Sequence, residues 1–109
     1  MNFEEYQKLS RRTALYPNKD NNFVYPTLGL SGEAGEVAEK IKKVLRDKNG
    51  VVDEGTKNDL AKELGDVLWY VSQIATELGL SLDEIAQTNI AKLADRQKRD
   101  RLGGSGDER

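Results

Sequence analysis

Two segments, Thr27 to Lys48 and Thr56 to Leu78, constrain this chain more than any other feature. In the first, Leu30, Ala34, Val37, Ala38, Ile41, Val44 and Leu45 recur at helical spacing. In the second, Leu60, Leu64, Val67, Val71, Ile74, Ala75 and Leu78 form one stripe. No segment carries the strict alternation of a half-buried strand. Asn49-Gly50 stops the first helix, and Gly79 stops the second. Thr56, with Asp59 three residues on, offers a box-like start for the second.

Two shorter helices flank this pair. Asn2 is a good N-cap with Glu5 three residues later, and Phe3, Tyr6 and Leu9 share one side before Pro17 ends the element. Tyr16 to Pro26 reads as loop from its Pro, Asn and Asp content. Ser81 and Glu84 make a full capping box, opening a last helix that runs through Ile85, Ile90 and Leu93 to about Arg99. The expectation is an all-α bundle of four to five helices, forming one domain over residues 1–99. The Gly-rich stretch 100–109 is expected to be a flexible tail. A core this modest favours completion by oligomerisation.

Composition removes most chemistries. The chain has no Cys and no His, which excludes thiolate nucleophiles, imidazole bases and most zinc and iron sites. A metal here must be held by oxygen, which favours Mg²⁺, with Mn²⁺ as a substitute. The net charge of −2 gives no pull toward nucleic acid or anionic membrane. With no long apolar run and no signal-peptide pattern, the expected location is cytoplasmic.

The acidic residues are placed unusually. Glu33 and Glu36 lie about 60° apart on one shoulder of the first long stripe, and Glu63 and Asp66 repeat this on the second, with Tyr70 in the same column. Packing the stripes together brings the shoulders to the edge of the core, so four carboxylates face one cleft. Such a cluster repels itself unless a cation sits in it. One such pair on a charged helix is ordinarily a solvated face; two flanking adjacent stripes point to a hard-cation site. Di-iron bundles, which need His, are excluded.

Asn89, Lys92 and Arg96 line up on the last helix beside its apolar stripe, a column suited to phosphate oxygens or to pairing with Asp95 and Asp100. Lys40 and Lys43 share the shoulder of Glu33 and Glu36 and could touch phosphate or neutralise the acidic stripe. Trp69 projects about 180° from its helix's apolar centre, so burial within one chain is not expected, and a subunit interface is favoured over a base-stacking surface. Tyr70 could border a nucleotide, and Phe23 and Tyr25 could contact a base or cover a helix end. Gly35 and Gly65 suggest close helix approach at the cleft.

The segments PTLGLSGEAGEVAEKIKK and LAKELGDVLWYV, with the later Asn89-Ile-Ala-Lys92-Leu93, resemble MazG-like members of the all-α nucleoside triphosphate pyrophosphohydrolases. Those proteins carry ExxE on one helix and ExxD on the next, matched by Glu33–Glu36 and Glu63–Asp66. The resemblance implies hydrolysis between the α- and β-phosphates of an NTP or dNTP, in a homodimer or dimer of dimers. It also implies a role in clearing surplus or non-standard nucleotides. A phosphoribosyl-ATP pyrophosphohydrolase of the same superfamily and a non-catalytic helical oligomerisation module are the alternatives.

Overall fold

A computed structural model describes residues 1–109 as four helices without strands: α1 (Phe3–Arg11), α2 (Val24–Asp47), α3 (Glu54–Glu77) and α4 (Leu82–Lys98). The long helices α2 and α3 pack on each other, α1 crosses α3, and α4 packs chiefly on α1. The expected all-α architecture is the one observed.

Local chemistry explains most boundaries. Asn2 Oδ1 accepts from Glu5 N at 2.8 Å, and Ser81 Oγ accepts from Glu84 N at 3.1 Å. Two starts differ from the sequence reading. α3 is capped by Asp53, whose Oδ1 accepts from Thr56 N at 2.8 Å; Thr56 is buried in the first turn, and its hydroxyl accepts from Lys48 Nζ. α2 begins at Val24, one turn before Thr27, and includes Pro26. Proline is tolerated there because a first-turn N–H has no helical acceptor. Asn22 Oδ1 accepts from Tyr25 N at 3.0 Å, a side-chain bond that helps start the helix.

Where α1 crosses α3 the core is small and polar. Ser10 Oγ and Ser72 Oγ are 2.8 Å apart, and the fully buried Gln73 donates to Ser10 Oγ at 3.0 Å. Ala14, just beyond α1, and Ala75 of α3 are buried as well. No buried side-chain polar atom is left without a partner. α1 therefore turns Gln7 and Ser10 inward, while Phe3 and Leu9 of its expected apolar side stay exposed. Trp69 also departs from expectation. It is half-buried within its own chain, donating Nε1–H to Ser10 O at 3.1 Å and Thr13 Oγ1 at 2.9 Å. Its helix face points away from α2, but that is the face that α1 covers.

Much apolar surface remains open. Leu28, Leu45, Leu64 and Ile90 are each more than half exposed. The chain presents 7857 Å² to solvent, whereas a compact monomer of 12.2 kDa would present about 6,100 Å². Its radius of gyration is 16.7 Å, against about 13 Å for a compact chain of this length. No helix is long and apolar enough to cross a membrane.

Residues 100–109 contain no helix or strand but lie against α4. Asp107 pairs with Lys92 and Arg96, and the Arg109 guanidinium donates to the carbonyls of Leu102, Gly103 and Gly106.

Candidate metal centre

The packing of α2 on α3 turns their acidic shoulders toward each other. Carboxylate oxygens of Glu33, Glu63 and Asp66 lie within 4.8 Å of one another. Glu33 and Glu63 are half-buried and Asp66 is exposed, so the cluster sits at the rim of the helix pair. Glu36 is exposed and outside the trio, although its charge still reaches Glu33. Lys40 lies beside the cluster, its Nζ 3.8 Å from Glu63 Oε1.

The Glu33 carboxyl is held above the usual carboxylate range, chiefly by a proton shared with Glu63, then by partial burial and by the charges of Asp66, Glu63 and Glu36. A cation would take the place of that proton. Every donor is a carboxylate oxygen, the ligand type of Mg²⁺ and Mn²⁺, and the separations leave space for one ion between the oxygens. The residues present therefore fit a hard divalent cation.

Tyrosines frame the cluster. Tyr70 stands one turn after Asp66, and its ring lies where a side chain on Gly29 would be. Gly29 is therefore the close-approach glycine. Gly35 and Gly65, expected in that role, have nothing within 4 Å of an added Cβ. Burial, then the neighbouring Tyr25, Glu33 and Asp66, raises the Tyr70 hydroxyl's pKa. From α1, Tyr6 also reaches this region, its hydroxyl raised by burial and by Asp66. No spacing in the sequence signals Tyr6, because α1 meets α3 only through tertiary packing.

The column on α4 is placed elsewhere. No hydrogen bond or ion pair joins Asn89, Lys92 or Arg96 to the carboxylates, and α4 packs on α1. Asn89 and Lys92 line an open hollow of about 410 Å³. Arg96 is 3 % exposed and donates to the Asp107 carbonyl and carboxylate.

Two helices that present clustered carboxylates across their seam make a candidate site for a hard divalent cation. Residues 26–100 match the family model described as MazG nucleotide pyrophosphohydrolase domain. The chain is also 45% identical over 114 residues to "Gene 37 protein" of Mycobacterium phage L5, with 100% of both chains covered. No solved structure matches it. The chain belongs to the MazG nucleotide pyrophosphohydrolase family. Its chemistry is accordingly that of a nucleotide pyrophosphohydrolase, and enzymes of this family generally depend on a divalent metal.

Proposed function

We propose that the protein hydrolyses the α–β phosphate bond of nucleoside or deoxynucleoside triphosphates, giving a monophosphate and pyrophosphate, as a nucleotide-pool house-cleaning enzyme. The observation that carries this reading is the Glu33–Glu63–Asp66 trio on the paired helices of a MazG-family chain. These three, with Glu36 one turn along α2, would hold Mg²⁺, for which Mn²⁺ can substitute. Bound there, the ion would supply charge neutralisation for the triphosphate and acidify the attacking water.

The chain's own groups do the rest. The water's oxygen attacks the α-phosphorus, its proton passes to Glu33 or Glu36, and the bond between the α-phosphorus and the bridging oxygen breaks. Lys40, beside Glu63, offsets charge on the departing pyrophosphate. Asn89 and Lys92 bind phosphate oxygens as well, and Arg96 joins them where phosphate displaces Asp107 from it, but α4 lies against α1, away from its own trio. They complete the site across a subunit boundary, in a homodimer or a dimer of dimers. The surplus of about 1,800 Å² over a compact monomer is what an obligate dimer partner would cover. No nucleic-acid polymer and no membrane are involved in this reading.

The test is phosphorus NMR of the purified protein with each common NTP and dNTP, in Mg²⁺ and in EDTA. Monophosphate plus pyrophosphate, formed only with metal, is the expected result. Orthophosphate plus diphosphate would show cleavage at the γ-phosphate and refute the reading. Light scattering on the same sample should give a dimer or tetramer; a monomer would refute the shared site.

A further inference from the structure

Glu77 is a charged residue that the hydrolytic site does not use. Its side chain has no exposed surface, yet it is ionised: donors around it offset the cost of burial and hold its pKa at about 2. It accepts from Arg11 at 2.6 Å, from the Tyr16 hydroxyl at 2.7 Å, and from the backbone N–H groups of Asp20 at 3.0 Å and Asn22 at 2.6 Å. All but Arg11, the last residue of α1, belong to the α1–α2 connection. Asn18 and Asp20 sit there at φ 54° and 78°, backbone that persists only where surrounding bonds impose it. The loop is thus latched to α3 in one shape.

That shape sets out aromatic rings. Tyr16 stacks on Tyr25, ring centroids 5.0 Å apart and planes 16° from parallel. With Tyr70 and Trp69 they wall a hollow of about 260 Å³ that no charged side chain lines. Tyr70 follows Asp66 by one turn, and its ring rests on Gly29, one turn before Glu33. Tyr70 thus borders both the hollow and the neighbourhood of the trio, close enough for the charges of Glu33 and Asp66 to act on its hydroxyl.

We infer that this hollow receives the nucleobase of the bound nucleotide by stacking, and that Glu77 is the positioning residue that holds its Tyr16–Tyr25 wall. The inference rests on the pyrophosphohydrolase reading. Because every base has a π-face and no charged group lines the hollow, recognition there tolerates both purines and pyrimidines.

The experiment compares dNTPs with deoxyribose 5′-triphosphate, which lacks a base, in the full-length protein. Glu77→Gln and Tyr25→Ala should each raise KM for dNTPs about tenfold while kcat changes little, the loss of one stacking contact. KM for the base-less triphosphate should stay unchanged. Tyr25 is 45% exposed, so its variant folds even if Glu77→Gln does not. Equal effects on both substrate types, or an unchanged dNTP KM, would overturn the inference. A wild-type protein that hydrolyses no nucleotide would instead overturn the reading on which it rests.

Discussion

Replacing Glu33 by glutamine should stabilise the metal-free protein at neutral pH while abolishing turnover. Glu33 faces Glu63 and Asp66 with oxygens no more than 4.8 Å apart. At that distance a pair of like charges costs about 1–2 kcal/mol when the effective dielectric lies between ~40 and ~80, as at this partly solvated rim. With two such neighbours and some screening by salt, removing the Glu33 charge should add about 2 kcal/mol. Glutamine also keeps an N–H donor for Glu63, imitating the protonated acid. The pH dependence follows from the raised pKa: the folded state holds this proton more tightly than the unfolded chain. Charged Glu33 therefore costs stability above its folded pKa, and that cost disappears below its unfolded value. The variant's advantage should be present at pH 7 and vanish near pH 4. Urea unfolding followed by Trp69, the only tryptophan, reads this at fixed protein concentration in EDTA and in Mg²⁺. Mg²⁺ should stabilise the parent more than the variant. A variant less stable than the parent at pH 7 in EDTA, or equal stabilisation by Mg²⁺, would refute the repulsion argument.

The Glu77 latch makes an opposite prediction. Its pKa of about 2, against an ordinary 4.5, means the folded state disfavours the proton. The resulting stability, about 3 kcal/mol, is complete above the unfolded pKa and is lost as pH falls toward 2. Glu77→Gln should thus destabilise strongly at pH 7 and little near pH 2, in unfolding curves measured across that range. Gly29→Ala drives a methyl into the Tyr70 ring and should cost about 1–3 kcal/mol despite alanine's better helix propensity. Thermal melts of that variant should fall below those of the parent.

The local chemistry was legible in the sequence. Asn2 and Ser81 announced their caps, and the two long stripes announced α2 and α3, because capping and helical spacing act within a few residues. The acidic shoulders were legible for the same reason: a separation of three residues places Glu33 beside Glu36, and Glu63 beside Asp66, on any helix. Pro26 misled only because a first-turn proline and a loop proline look alike in sequence.

Which carboxylates meet was decided by the tertiary structure. The rotation of α2 against α3 brings Glu33, Glu63 and Asp66 together and leaves Glu36 exposed, and no periodicity specifies that angle. Trp69 looked solvent-facing because the partner of its face, α1, lies 59 residues earlier in the chain, where Ser10 takes its N–H. Glu77 likewise reads as an ordinary surface acid until Arg11, Tyr16, Asp20 and Asn22 converge on it. Sequence alone determined what each helix could present, since that depends on neighbours along the chain. Only packing decided what each face would meet, since that depends on groups brought together across loops.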